Sequence, residues 1–304
     1  FESAVIPLTN EEQLYGVFLR PNLDPVRLVF IPPLVGSTAE LQATTFRYFA
    51  QRATQIFSFE YRGHSRSSGV FSLKNSVEDT RSALAWINQY AKDENLPLHT
   101  VSTCYGTLTL LANFTSTRNQ YDVKSISTVS GLFSIDYVID PEKFASILST
   151  GVEGEEPTRE SLAGMIRNGT INLTDTKILS AFGHYLKHLF PELHIGDNNF
   201  EQLRYERSDR RATVLQFLVN DFFETGKVTI PKGIPVNIFH GKCDTVISLV
   251  DEATRERYIS DARKIAPHAE FHVVDIDHFG RGKDTKEVAK TLCDIMDKVD
   301  ATKS

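Results

Sequence analysis

Leu98-His99-Thr100-Val101-Ser102-Thr103-Cys104-Tyr105-Gly106-Thr107-Leu108 is the stretch of sequence from which the fold is predicted. Its first half is rich in β-branched residues and favours a strand, whereas the apolar residues after Cys104 favour a helix. Ser102 and Gly106 are small, as required where a strand turns sharply into a helix and the two nearly touch. We therefore predict a strand, a strained turn centred on Cys104 and a helix, with an inert buried cysteine as the alternative.

Composition excludes several functional classes. The chain has 304 residues, of which 41% are apolar, enough for one sizeable core or a core with a subdomain. Its net charge of −6 argues against nucleic acid and anionic membrane as partners. There is no apolar run of membrane-spanning length and no signal-peptide pattern at the start. Together with only three cysteines, these features lead us to expect a cytoplasmic protein.

Strands and helices alternate along the first part of the chain and again near its end. This alternation predicts an α/β protein with a mostly parallel, eight-stranded sheet and helices on both faces. The predicted strands are Ser3–Leu8, Gln13–Leu19, Val26–Ile31, Gln55–Tyr61, the run before Cys104, Val123–Val129, Val236–Phe239 and Glu270–Val274. The predicted helices are Glu40–Gln51, Ser76–Tyr90, the segment after Cys104, Asp251–Ile265 and a C-terminal helix from Lys286.

The alternation stops in the middle of the chain. Between Phe133 and Thr229 we find helical patterns but no clear strand, and the segment 231–235 with two prolines marks the return to strands. We therefore predict a core built from residues 1–132 and 230–304, with residues 133–229 inserted as a helical cap.

Three side chains with catalytic potential follow three predicted strands. They are Cys104, Asp244 in a G-x-x-D-x-x-V segment, and His278 in D-x-D-H-F-G. Ligands of open α/β sheets bind at the carboxyl ends of the strands, so we expect these groups to meet there. His278 would take the proton of Cys104, and Asp244 would orient the imidazole. Alternatively, His278 is a surface histidine and Asp244 a turn residue, with Asp275 and Asp277 as other possible orienting acids.

The order nucleophile, acid, histidine resembles the α/β-hydrolase superfamily, as do the Arg62-Gly63-His64-Ser65 loop and the predicted cap. The resemblance covers about residues 13 to 300 and implies the α/β-hydrolase fold. The usual nucleophile of that superfamily is the serine of G-x-S-x-G, and here it is Cys104. In this respect the chain most resembles the carrier-protein aminoacyltransferases of coronamic acid and syringomycin biosynthesis. Dienelactone hydrolases also use cysteine but are usually smaller and lack a long cap.

Acyl transfer also requires two backbone N–H groups that stabilise the oxyanion. Tyr105, directly after the nucleophile, is the first candidate donor. The second should come from the loop after the third strand, which begins Pro32-Pro33. Because proline has no N–H, Leu34 is the first possible donor there. The alternative for the two prolines is that they only stiffen a turn.

A cysteine nucleophile favours transfer between thiols. A thioester on Cys104 is close in energy to a donor thioester, so both half-reactions are nearly balanced. The resemblance and this chemistry predict a shuttle of acyl or aminoacyl groups between phosphopantetheine thiols of carrier proteins, with no permanently bound cofactor or metal. The alternatives are a cysteine-dependent thioesterase or dienelactone-hydrolase-like enzyme, and a non-catalytic binding protein of the same fold.

Weaker signals lie elsewhere. A basic cluster near the end of the cap could dock an acidic carrier protein or be a solvated face. It comprises Arg204, Arg207, Arg210 and Arg211. His184 and His188 have a spacing that could bind a metal, but a partly buried helix face is the better interpretation. We expect Cys243 and Cys293 to be structural.

Overall fold

The computed structural model describes residues 1–8, 11–34, 37–69, 71, 73–114, 121–133, 230–244, 252–278 and 280–302. Eight strands form one sheet: β1 (Glu2–Pro7), β2 (Gln13–Leu19), β3 (Arg27–Ile31), β4 (Thr54–Phe59), β5 (Leu98–Thr103), β6 (Val123–Gly131), β7 (Val236–Gly241) and β8 (Glu270–Val274). Their order is β1-β2-β4-β3-β5-β6-β7-β8. β1 and β2 pair antiparallel and β2 joins β4 antiparallel, while β4, β3 and β5 to β8 are parallel. The predicted mostly parallel, eight-stranded sheet is confirmed.

Helices cover both faces of this sheet. They are α1 (Ala39–Thr45), a 3₁₀ helix (Arg47–Arg52), α2 (Leu73–Asp93), α3 (Cys104–Leu111), α4 (Glu252–Ile265) and α5 (Thr285–Ala301). Apolar residues of α2, α3 and α4 pack on one face, and those of α1, the 3₁₀ helix and α5 pack on the other. Because both faces are covered, every residue of β3, β4, β5 and β7 is buried.

The segment after β3 differs from the prediction of one helix over Glu40–Gln51. The α-helix ends at Thr45, and a 3₁₀ helix follows after Phe46. Thr45 donates its hydroxyl proton to the Leu41 carbonyl at 2.9 Å, a bond that competes with regular helix geometry. The left-handed conformation of Ala53 (φ 52°) then turns the chain into β4. The two short helices together extend one residue beyond the predicted helix at each end.

The predicted cap, apart from Phe133, lies outside the described residues, and its boundaries stay a prediction. The chain leaves the sheet at the carboxyl end of β6 and re-enters it at the amino end of β7, which pairs directly with β6. Among the described helices, none is long and apolar enough to cross a bilayer.

Candidate active site

The predicted sharp turn lies at the junction of β5 and α3. Thr103 is the last residue of the strand and Cys104 the first of the helix. Cys104 has a φ of +43°, in the left-handed region that residues with a side chain rarely adopt. Neighbouring backbone holds this conformation, since Cys104 forms a parallel bridge with Gly131 and its carbonyl accepts a bond of 3.2 Å from the N–H of Leu132.

The small residues around Cys104 are explained by close contacts. A Cβ on Gly106 would lie 2.7 Å from the carbonyl oxygen of Pro32, so only glycine fits against this loop. Ser102 is fully buried, and its hydroxyl lies 3.1 Å from that of Thr107 in the first turn of α3. The first turn of α3 is therefore held against both its own strand and the loop after β3.

The structure brings His278 and Asp244 together beside Cys104. The Nδ1 atom of His278 lies 3.0 Å and 3.1 Å from the two carboxylate oxygens of Asp244. Both residues are buried, with 5% and 4% of their surfaces exposed. His278 also hydrogen-bonds to Cys104. Because Asp244 occupies Nδ1, the Nε2 atom is the ring nitrogen left to face the thiol.

Electrostatics in this cluster favour a charged pair. Burial by itself lowers the pKa of His278, but the negative charge on Cys104 and the hydrogen bonds to Asp244 and Cys104 outweigh it and raise this pKa to about 10. A protonated imidazole beside Cys104 stabilises the thiolate, which is the nucleophilic form of cysteine. The arrangement places a proton-binding imidazole directly beside the proposed nucleophile.

The other acids near His278 are engaged elsewhere. Asp277 forms an ion pair with Arg281, with 2.8 Å between its Oδ2 and the guanidinium. Asp275 accepts a hydrogen bond from the thiol of Cys243 at 3.2 Å. Asp244 is therefore the carboxylate that holds Nδ1, as predicted from its place after β7.

The two predicted oxyanion donors come from adjacent segments. Tyr105 is the second residue of α3, so its N–H lies at the positive end of that helix. Leu34 lies in the loop that touches the same turn of α3 through Pro32 and Gly106. Their roles as donors stay a prediction.

Buried polar groups that the sequence patterns did not predict lie behind α3. The hydroxyl of Tyr105 lies 2.6 Å from that of Ser76 on α2. Tyr61 is fully buried and contacts both the loop after β3 and α3. Arg62 binds the buried Asp79 through its backbone N–H and its Nε, at 2.8 and 2.6 Å. One sequence feature could have indicated these groups. It is the run of polar and aromatic residues directly after β4, at the same sheet edge as Cys104.

Several predicted sites cannot be placed. The basic cluster and the histidine pair lie outside the described residues; they are Arg204, Arg207, Arg210 and Arg211, and His184 and His188. The contact of the arginines with a carrier protein stays a prediction. Cys293 lies on the buried face of α5, as expected for a structural residue. Cys243 is exposed instead, because it lies in the turn after β7, at the surface.

Comparisons with known proteins bear on the fold. No protein-family model and no curated protein sequence matches the chain. Solved structures match along nearly its whole length. A carboxyl esterase from Bacillus coagulans is 13% identical, with a TM-score of 0.64 over 98% of each chain. A lipase in an open form is 15% identical, with a TM-score of 0.63 over 98% of this chain and 99% of that one.

An esterase from Thermogutta terrifontis is 12% identical, with a TM-score of 0.55 over 98% of this chain and 99% of that one. These identities are low, so the likeness concerns architecture. The strand order, the sharp turn at Cys104 and the positions of Asp244 and His278 at the strand ends agree with it. The chain has the α/β-hydrolase fold.

Proposed function

We propose that the protein is an acyltransferase that carries an acyl or aminoacyl group between phosphopantetheine thiols of carrier proteins, through a thioester on Cys104. The observation that carries the proposal is the cysteine at the strained turn, in contact with a buried His278–Asp244 pair. Cys104, His278 and Asp244 are the proposed nucleophile, base and orienting acid.

The proposed reaction has two half-reactions with the same chemistry. The thiolate of Cys104 attacks the carbonyl carbon of a donor thioester, and the oxyanion of the tetrahedral intermediate is stabilised by the N–H groups of Tyr105 and Leu34. The carbon–sulfur bond to the donor then breaks, and the leaving thiolate takes the proton of His278. In the second half-reaction, His278 removes the proton of the acceptor thiol, which attacks the acyl-Cys104 thioester and releases the Cys104 thiolate.

The thiol supports transfer over hydrolysis on energetic grounds. An acyl group on sulfur keeps nearly the energy of the donor thioester, so passing it to another thiol is close to balanced. A serine in the same place would form a more stable oxygen ester, from which return to a thiol is uphill. Burial of His278 and Asp244 also limits the access of bulk water to the base.

Hydrolysis of an ester or thioester is the second candidate function. It is favoured by the structural likeness to esterases and a lipase, whose architecture this chain shares. The two candidates differ only in whether water or a thiol accepts the acyl group from Cys104. A non-catalytic role is the third, and it predicts no covalent intermediate.

Intact-protein mass spectrometry separates these candidates. The enzyme is incubated with an acyl-pantetheine or with an acylated carrier protein, and then with free pantetheine or unloaded carrier. We expect the mass of one acyl group to appear on Cys104 and to be removed by the acceptor thiol. Cys104→Ser should lower carrier-to-carrier transfer by about 10³-fold or more, because it either never loads or stalls as an oxygen ester.

The exposed Cys243 provides a matched control, since Cys243→Ser removes a thiol that could react non-specifically and should load like the wild type. Rapid release of free acid without transfer would establish the hydrolase instead. The absence of both adduct and turnover would contradict both enzymatic functions. Transfer by Cys104→Ser near the wild-type rate would refute the argument from thioester energy.

A further inference from the structure

Tyr61 links the loop after β3 to the helix that carries Cys104. It follows β4 and is fully buried. Its hydroxyl donates a hydrogen bond of 3.0 Å to the carbonyl oxygen of Pro33 and lies 2.9 Å from the hydroxyl of Thr109 in α3. A carbonyl can only accept, so the single proton of Tyr61 is used on Pro33. The Thr109 hydroxyl also has one proton, which the Tyr61 oxygen and the carbonyl oxygen of Gly106, at 3.2 Å, both approach closely enough to accept.

The bond to Pro33 has a consequence for Leu34. The carbonyl of Pro33 and the N–H of Leu34 belong to one planar trans peptide group, in which oxygen and hydrogen point in opposite directions. Whatever holds the oxygen therefore also sets the direction of the N–H. A hydrogen bond to the carbonyl further polarises the peptide and makes its N–H a stronger donor.

The contact with Thr109 relates this peptide to the second proposed donor. Thr109 and Tyr105 lie one turn apart in α3, and the backbone of this helix also contacts the loop where Gly106 meets the Pro32 carbonyl. Burial raises the pKa of Tyr61, so its hydroxyl stays a donor throughout the working pH range. Tyr61 thus contacts both segments from which the oxyanion donors come.

We propose that Tyr61 is a positioning residue that aims the N–H of Leu34 at the oxyanion formed during acyl transfer, through its bond to the Pro33 carbonyl. The inference rests on the proposed function, because it concerns the oxyanion of that reaction. Tyr61 is fully buried, and its effect is transmitted through the Pro33–Leu34 peptide.

Tyr61→Phe tests this role, since it keeps the ring and removes the hydroxyl. Loss of a complete oxyanion donor slows enzymes by about 10²- to 10³-fold, so a misdirected donor should slow acylation of Cys104 by about 10- to 100-fold. We expect this loss in kcat, measured by rapid-quench mass spectrometry with an acyl-pantetheine, and little change in KM.

The rate at which iodoacetamide alkylates Cys104 distinguishes a positioning role from a merely structural one. If Tyr61 only supported the structure around Cys104, its loss would slow alkylation as well as acylation. The thiolate displaces iodide, and no oxyanion forms, so the reaction depends on the Cys104–His278 pair but not on Leu34. Tyr61→Phe should therefore be alkylated within about twofold of the wild-type rate. Both enzymes carry Cys243→Ser, because the exposed thiol of Cys243 would otherwise react as well.

Ser58→Ala is the matched control. Ser58 is also fully buried and donates its hydroxyl proton to a backbone carbonyl, that of Ile31, at 2.8 Å, just before the same loop. It should change neither acylation nor alkylation. Thr109→Val removes the hydroxyl beside that of Tyr61, together with its contact with the Gly106 carbonyl. It should reduce acylation less than Tyr61→Phe does, and it serves as the test if Tyr61→Phe fails to fold.

The outcomes separate this inference from the proposed function. Acylation of Tyr61→Phe at the wild-type rate would overturn the positioning role, as would a parallel loss of acylation and alkylation. If only Thr109→Val folds, unchanged acylation in it would overturn the role too. Absence of acylation in the wild type itself would instead refute the proposed function.

Discussion

At the scale of single residues, the site depends on one strained backbone position and one charge pair. Cys104 occupies the left-handed region, and its bridge to Gly131 offsets the cost of that conformation. The raised pKa of His278 arises from the negative charge on Cys104 and from Asp244, against an opposing effect of burial. The charge of His278 therefore depends on these two neighbours.

Cys104→Ser should therefore lower the pKa of His278. A serine hydroxyl is neutral at every accessible pH, so the largest of the effects that raise this pKa disappears while burial still lowers it. NMR titration of labelled histidine measures the change. The wild-type imidazole should stay protonated through neutral pH and titrate near 10, and the variant should titrate at lower pH.

His99 is the internal reference in the same spectra, because it lies at the other end of β5 and its pKa, lowered by burial, should not move.

The raised pKa of His278 also makes the stability of the fold depend on pH. Since the wild-type pKa of His278 exceeds its unfolded value of about 6.5, the protonated ring stabilises the fold, and this stabilisation is fully present below about pH 6.5. This contribution is lost as the pH rises through about 10. An unchanged pKa of His278 in Cys104→Ser would show that no thiolate charge acts on it.

At the scale of secondary-structure elements, the junction of β5 and α3 is shaped by close backbone contacts. Gly106 lies against the Pro32 carbonyl. Gly131, at the end of β6, is packed equally closely by the Thr107 side chain. The hydroxyl of Tyr258 on α4 donates to the Gly131 carbonyl at 3.0 Å, so a third element supports the strand beside Cys104. The position of α3 is therefore determined from several sides.

Gly106→Ala should destabilise the protein and slow acylation. Its Cβ would lie 2.7 Å from the Pro32 oxygen, so the helix and the loop must move apart. We expect a loss of about 1–3 kcal/mol in the free energy of unfolding, despite the better helix propensity of alanine. Urea denaturation measures the loss, and mass spectrometry measures the rate of acylation.

Gly233→Ala is the control, because no atom lies within 4 Å of a Cβ placed there. Its free energy of unfolding should stay within about 0.5 kcal/mol of the wild type. If Gly106→Ala proved equally neutral, the close approach of α3 to the loop would not constrain the site.

At the scale of the whole molecule, charged groups join the third strand to the last helix at the sheet edge opposite Cys104. Arg27, at the start of β3, pairs with Asp297 and Asp300 near the end of α5. Asp300 also lies 3.0 Å from Nε2 of the buried His99, whose Nδ1 is 2.8 Å from the Ser125 hydroxyl. These contacts tie α5 to three central strands and so support the loop before it, which carries His278.

Arg27→Met should lower stability without changing the chemistry at Cys104. The side chain of Arg27 is 9% exposed, and its loss leaves Asp297 and Asp300 without their main cation. Because both carboxylates are partly exposed, we expect a cost of about 1–3 kcal/mol, less than for a fully buried pair. Urea denaturation should show this cost. Alkylation of Cys104 by iodoacetamide should stay within about twofold, and a larger change would show coupling across the sheet.

The sequence alone determined the strand and helix pattern, the sharp turn and the three residues at the strand ends. These follow from local causes: β-branched runs, apolar periodicity, and small residues on both sides of Cys104. The order of Cys104, Asp244 and His278 along the chain was also sufficient to predict that they meet, because parallel strands present their carboxyl ends at one edge. Among the described residues, the clearest departures from expectation are the break of the helix at Phe46 and the exposure of Cys243.

The tertiary structure decided which carboxylate holds His278 and how the loop after β3 is fixed. Asp244, Asp275 and Asp277 are equivalent by residue type, and only the packing of β7 beside β8 places Asp244 at Nδ1. Tyr61 could not be identified from local sequence, because its bonds to Pro33 and Thr109 join segments 28 and 48 residues apart. Such contacts depend on which strands pair in the sheet, and no local pattern of residues encodes that pairing.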